Sequence, residues 1–550
     1  MTREPPLPLA LLLAGATLLL AAGLARPAGT ASAGPDARKG GTLRLASGPD
    51  VDHVDTALAY TPYSWPIGYA TCAKLFNYPD APGSAGTRLV PEVVDRFTVS
   101  PDRRTYTFTL QRTFRFHTGA AVTAQSFADA FNRDAQPSLK SPATDFMHEI
   151  VGASAVIDGK AASISGIQVL DRYRLQIRLT KPLGDFTARL TMPFFCPVLP
   201  NTPVDPAGID NPAGSGPYYV FERVVNQRIV LKRNPFYRGT RPANVDQVVE
   251  TIGESREACL LAVEQDRIDH CVDFSIPPTA YRELAKRYGI NRTDGRLFVT
   301  PKLATWYLAF NHDRPAFKGP GQIPLKKAIN YAIDRPALLR TIGYLAGKRT
   351  DQMLPPTLAR PESIYPLGGA NLAAARRWYG RARVRPPTLV LYAWNDPPVV
   401  LQAQVLAFDL RKLGIDLDVK YFDGGALGEK VSTRGEPFDL VTWGWQADYA
   451  DGGSFLGTLL NGKDLGPTGN LNFSYFDDPE TNARIEAANR LTGVAARREA
   501  WADLDVDLMR DNPPWAPIHY SNYRAFVSRS FGCFLYQPVY GVDIAAVCKK

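Results

Sequence analysis

The chain has little of what most enzymes use for chemistry. Its six histidines (His53, His117, His148, His270, His312 and His519) are scattered, and none forms an H-x₃-H pair or stands beside a cysteine. No C-x-x-C occurs among the six cysteines, which argues against a thiol redox motif or a zinc ribbon. There is no G-x-S-x-G elbow, no phosphate-binding G-x-x-x-x-G-K and no H-E-x-x-H, so the common hydrolase, nucleotide and zinc-protease signatures are missing. Internal repeats are absent, and so is any low-complexity tract beyond the N-terminus. No catalytic residue, metal ligand or cofactor is therefore expected.

What is present is a long, ordinary globular composition. At 550 residues the chain exceeds a single core, and two or three domains are expected. The 45% hydrophobic and 21% charged shares are those of a soluble protein. Residues 1–33 differ: Arg3 precedes an apolar run from Leu9 to Ala25, and Ala31-Ser32-Ala33 follows the small-x-small pattern of a signal-peptidase site. This segment reads as an export signal, with a retained N-terminal anchor as the alternative, and both place the bulk of the chain outside the cytoplasm. No cysteine occurs before Cys72, so no lipid-anchor site lies near the cleavage point. Six cysteines suit an oxidising compartment. Sequence proximity pairs Cys259 with Cys271 and Cys533 with Cys548, which leaves Cys72 with Cys196, one of many possible connectivities.

The formal net charge is +9. Its densest cluster, Arg376, Arg377, Arg381, Arg383 and Arg385 around Trp378, runs into Pro386-Pro387 and carries no nucleic-acid motif. It reads as a solvated helix end, and no nucleic-acid partner is expected. A basic secreted protein is drawn to anionic surfaces such as a cell wall.

Periodicity along the chain gives the elements. Tyr106, Phe108 and Leu110 alternate with polar residues, the mark of a half-buried strand. Thr123 is placed to cap a helix bearing Phe127, Ala130 and Phe131 on one face. Residues Gly214–Gly239 read as two β runs joined at Asn226-Gln227. The order strand Thr388–Ala393, helix 397–413, strand Asp416–Tyr421 is β-α-β, which predicts a parallel sheet in the second half. A final helix over Ala495–Arg510 stops at Asn512-Pro513-Pro514 and a strand Trp515–Tyr520 follows.

The most informative stretch runs from Phe438 to Gly457. Val441–Trp445 predicts a buried strand, and it ends on Asp448-x-x-Asp451 and Gly452-Gly453. An acid at a strand end, walled by Trp443, Trp445 and Tyr449, could hold a cation away from water; a turn or cap acid is the structural alternative. Trp394 lies at another strand end, where open α/β sheets bind ligands. For most of the eight tryptophans core filling explains their presence.

The order of landmarks TYTFTLQRTFRFHTGAAVTAQSFADAFNR (Thr105–Arg133), GSGPYYV, LKRNPFY, YLAFN and LKKAINYAIDRPALL resembles the extracellular solute-binding proteins of ABC importers, family 5, which includes oligopeptide-, dipeptide- and nickel-binding proteins. The resemblance spans about residues 41–550. It implies an α/β, two-lobed clamshell of the periplasmic-binding type (type II, cluster C) with an additional inserted domain. Lobe I would comprise residues 40–85, 195–298 and 512–550, the insert 86–194 and lobe II 299–511, with hinge crossings near Thr300 and Pro513. It also implies that Asp448 pairs with a peptide's amino terminus, and that the main chain of Gly444, Trp445 and Gln446 pairs with an extended ligand. Tyr63 and Trp65 are expected on the near wall of the cleft, and Trp394, Trp443, Trp445 and Tyr449 on the far one. The partners implied are a peptide or other small solute and a membrane permease, with the binding protein itself a monomer. A non-peptide solute (nickel chelate, opine or sugar) is the alternative within the family; a secreted hydrolase and a surface receptor without an importer are the rivals outside it. Two departures stand out: Ser126 replaces an acid in the insert helix cap, and no basic residue for a ligand carboxylate is legible.

Overall fold

Strand Thr105–Leu110 buries Tyr106, Phe108 and Leu110 and leaves the alternate threonines half exposed, as a period of two requires. It sits in a four-stranded antiparallel sheet with Val94–Val99, Arg174–Arg178 and Ile167–Asp171, the core of the inserted domain. Helix Ala124–Asp134 packs on this sheet. Its cap is reciprocal: Thr123 Oγ1 accepts from the Ser126 N–H, and Ser126 Oγ accepts from the Thr123 N–H. Serine thus does here what an acid does in a capping box.

These elements come from a computed structural model that describes residues 39–272 and 276–550. The export signal or anchor expected over 1–33 lies outside the described residues. Among those described, no helix is long and apolar enough to cross a membrane.

Lobe I is built on a five-stranded sheet. Thr42–Ser47 runs parallel to both Gln247–Ile252 and His270–Cys271. The hairpin Tyr218–Val224/Arg228–Arg233 extends the other side, turning through Asn226 in the left-handed region. Lobe II carries a six-stranded sheet in the order Gly347–Arg349, Trp515–Phe526, Leu297–Phe310, Leu440–Gln446, Thr388–Trp394, Asp416–Phe422. The β-α-β unit is parallel as expected, with helix Pro397–Arg411 between its strands. The sheet as a whole is mixed, because Leu297–Phe310 enters it from lobe I antiparallel to Leu440–Gln446, and Trp515–Phe526 runs back towards lobe I antiparallel to Leu297–Phe310.

Those two long strands are the crossings. Leu297–Pro301 pair with Asn522–Phe526 on the lobe I side, and Thr305–Ala309 pair with Trp515–Tyr520 on the lobe II side; the register breaks between Pro301 and Thr305. Leu297 and Phe526 share a core with Cys259 and Cys271, whereas Leu308, Ala516 and Ile518 share one with Leu325 and Leu391. The sequence puts the return crossing at Pro513. The pairing puts it at Tyr520–Asn522, because Pro513-Pro514 end the helix Val494–Asp511 but the strand after them completes the lobe II sheet first.

Disulfides join Cys72 to Cys196, Cys259 to Cys271 and Cys533 to Cys548, the pairs that sequence proximity favours. The first joins the two lobe I segments that flank the insert, and a buried ion pair of 2.6 Å between Arg133 and Asp55 ties the insert to lobe I.

Candidate functional site

Strand Leu440–Gln446 reaches the seam between the lobes with one edge covered and the other open. Along its full length it pairs with Leu297–Phe310, from Phe310↔Leu440 to Ala304↔Gln446. On the opposite edge Thr388–Trp394 pairs only at Leu440 and Val441. From Thr442 to Gln446 that edge has no strand partner among the described residues. Gly444 lies directly against the Trp306 ring: a Cβ there would stand 2.4 Å from Trp306 Cε3. Glycine is what lets the indole lie flat behind the strand.

Beyond Gln446 the chain turns, and the two acids of the motif separate. Asp451 is held by Arg497 at 2.6 Å and accepts from the Gly453 N–H, so it is a structural acid. Asp448 is buried, 3% exposed, and has no cation within ion-pair distance among the described residues. It receives one hydrogen bond from Tyr60 Oη to Oδ1 (3.1 Å) and one from Ser454 Oγ to Oδ2 (3.3 Å). Its backbone N–H donates to Ser454 Oγ at 2.7 Å. Burial pushes the Asp448 carboxyl up to about 7, against the pull of the two hydroxyl donors and with a further push from Asp145.

Tyr60 comes from lobe I, so the Asp448–Tyr60 contact crosses the seam. Its ring sits among Phe194 (5.4 Å), Trp65 (6.1 Å) and Phe146 (6.3 Å). Next to Asp448, Tyr449 Oη donates to Asp185 Oδ2 of the insert at 2.6 Å. Burial opposes ionisation of Asp185, but Arg189 and Arg497 outweigh it and hold the carboxyl below its usual range.

On the other side of the open-edged strand lie two small interlobe cavities that meet at Lys302. One, of about 30 Å³, is lined by Tyr63, Gln446 and His270 among others. The second, of about 80 Å³, is walled by Trp306 and Trp394 and reached by Arg256, Arg524 and His519. Arg256 of lobe I meets Asp396 of lobe II at 2.8 Å across it.

The residues named from sequence thus fall into groups. Gly444, Gln446, Asp448, Tyr449, Tyr63 and Trp394 line the seam or its cavities. Trp445 is buried, its Nε1–H donating to Ser454 O (2.7 Å), which fixes the turn that carries Asp448. Trp65 does not face the cleft: it is 5% exposed, bonds Ala59 O and backs Tyr60. Trp443 stacks edge-on with Phe473 at 4.9 Å and lines neither interlobe cavity. Period-two alternation explains the last: Trp443 and Gln446 point to opposite faces of one strand. Tyr60, Lys302, Trp306 and Arg256 carry no local sequence signal, since each is brought to the site from far along the chain.

Comparison with known proteins agrees with this architecture. The family model for bacterial extracellular solute-binding proteins, family 5, matches residues 88–466. The chain is 27% identical over 461 residues to the periplasmic murein peptide-binding protein MppA of Escherichia coli, covering 79% of this chain and 80% of that one. It is 23% identical over 438 residues to the periplasmic oligopeptide-binding protein OppA of the same organism, covering 77% and 78%. In structure it superposes on clavulanic acid biosynthesis oligopeptide binding protein 2 with a TM-score of 0.83 at 24% identity, covering 93% and 96%. It also superposes on Haemophilus influenzae OppA in complex with the peptide RPPGFSPFR, with a TM-score of 0.73 at 18% identity, covering 93% and 99%. The chain belongs to the bacterial extracellular solute-binding proteins of family 5.

Proposed function

We propose that this chain is the extracellular binding component of an ABC importer, and that it captures a peptide by its free amino terminus and delivers it, unaltered, to a membrane permease. It acts as a monomer whose lobe I comprises residues 40–85, 195–298 and the segment after the return crossing, with the insert over 86–194 and lobe II over the rest. The observation that carries the reading is Asp448. A buried carboxylate without a cation is costly, and an ammonium group brought by the ligand would relieve that cost with a charge-assisted hydrogen bond. The open edge at Thr442–Gln446 beside it offers unpaired main-chain groups to an extended chain, which is recognition by strand addition. Both contacts use groups that every peptide has, so side-chain identity matters little.

Calorimetry with trialanine and N-acetyl-trialanine at about pH 8, where Asp448 is ionised, tests this. Trialanine should bind and the acetylated peptide should bind far more weakly. Asp448→Asn should cost trialanine about 3 kcal/mol, the scale of a broken buried charge pair. Equal binding of the two peptides, or an Asn variant with unchanged affinity, would contradict the assignment.

A further inference from the structure

Strand Gln247–Ile252 is the middle strand of the lobe I sheet, and its buried face reads Val248, Glu250, Ile252. A glutamate therefore stands where a period of two calls for a third aliphatic side chain. In register it lies beside Leu45 and Ile229, and it is 6% exposed. Its carboxylate has no ion pair among the described residues. Burial pushes it up to about 7 and Asp50 adds to the push; the Ser47 hydroxyl pulls the other way without closing a hydrogen bond. An acid buried in a sheet costs the fold stability, and a local rule broken at such cost marks a functional position. Glu250 also lies two residues before the carboxyl end of its strand, the end beyond which open α/β sheets take ligands.

Glu250 lines the interlobe cavity of about 30 Å³, together with Tyr63 and with Gln446, the last residue of the open edge. The Gln446 Nε2–H donates to Val539 O (3.1 Å), which turns the amide oxygen the other way, and that Oε1 is buried with no donor. The basic residues in the lining do not answer these acceptors. His270 gives its ring nitrogens to Tyr523 Oη (2.6 Å) and Phe526 O (3.2 Å), and Lys302 forms no ion pair with Glu250. The cavity thus brings together a carboxylate and an amide oxygen that both lack a donor, the complement of a compact cation with several N–H groups. Its volume is room for about two waters, or for an ammonium group and the methylene next to it. We infer that Glu250 and Gln446 Oε1 bind the side-chain ammonium of a solute laid along the open edge, which makes a lysine-like residue preferred at one position of the peptide. The inference rests on the peptide reading above, and it adds a side-chain preference to main-chain contacts that have none.

The test is calorimetry at about pH 8 with Lys-Ala-Ala, Ala-Lys-Ala and Ala-Ala-Lys, each against its norleucine counterpart, which keeps the side-chain stem without the charge. On wild type, one lysine peptide should bind at least about tenfold more tightly than its norleucine counterpart. This comparison needs no variant. Glu250→Gln keeps the side chain's shape and removes its charge, and a thermal melt confirms that it is folded. In that variant the gap should shrink to about twofold or less. Asp448→Asn should weaken lysine and norleucine peptides alike. If no position prefers lysine while Asp448→Asn still weakens every peptide, the Glu250 assignment is overturned and the peptide reading stands. A lysine preference that survives in Glu250→Gln overturns it as well. Failure of every peptide to bind overturns both.

Discussion

Asp448 and Tyr60 form the smallest unit on which the proposed function rests. The ordinary aspartate value is about 3.9, and burial raises Asp448 to about 7, so the empty closed protein holds a proton that the unfolded chain releases. The sign follows: this contribution to stability is full below about pH 4 and is lost as pH rises through about 7. Above that the buried charge costs on the order of 4 kcal/mol, an upper figure that local opening would reduce. Asp448→Asn should accordingly raise the melting temperature of the empty protein at pH 8 and leave it nearly unchanged at pH 4, as calorimetric melting would record. A variant that is destabilised at pH 8 would show that the carboxylate is satisfied in some other way. Tyr60→Phe removes a donor that favours the ionised form, so it should push the Asp448 titration above 7. A fall in that midpoint would contradict the hydrogen bond.

At the scale of elements, the site depends on a strand paired on one edge only. Each main-chain hydrogen bond to a ligand is worth about 0.5–1.5 kcal/mol net. Methylating the second amide nitrogen of a bound tripeptide should therefore weaken it by that order, measurable by calorimetry, and an unchanged affinity would count against strand addition. Gly444→Ala places a methyl group into the Trp306 ring, and the forced shift should cost about 1–3 kcal/mol of stability in a denaturant melt. Much of this level is legible in the sequence. The strand at Val441–Trp445, the β-α-β unit and the helix cap at Thr123 are local patterns, and local patterns survive folding. The acid on which the proposed function rests is picked out from the sequence too, since Asp448 follows its strand directly. The partners of that acid are not. Tyr60 lies 388 positions away, and Trp65, which reads as a cleft wall, is turned inward by its bond to Ala59. Trp443 is misplaced by one pleat, because a strand of rings does not declare which face meets the cleft. The return crossing is misread for a related reason: a Pro-Pro pair marks the end of a helix, not the border of a lobe.

Across the whole molecule, closure is a matter of contacts made between bodies. The insert is fixed to lobe I by Arg133–Asp55, yet it also touches lobe II through Tyr449–Asp185 (2.6 Å) and Lys181–Glu486 (2.9 Å). Arg256–Asp396 closes the opposite side of the seam. These contacts favour the closed form before any solute arrives, and a ligand adds only its differential affinity for that form. Asp185→Asn removes the charge that Arg189 and Arg497 share and weakens the acceptor of the Tyr449 hydroxyl, and it should open the empty protein. Solution scattering should then report a larger radius of gyration than wild type, restored in part by saturating trialanine; identical profiles would show that the network does not hold the lobes together.

The titration of Asp448 itself is the sharpest probe, followed through its side-chain carboxyl carbon by NMR without and with saturating trialanine. The empty protein should show a midpoint near 7, and the bound ammonium should drive it well below the ordinary aspartate range. A midpoint that stays near 7 with the peptide bound would mean that no ammonium sits against this carboxylate.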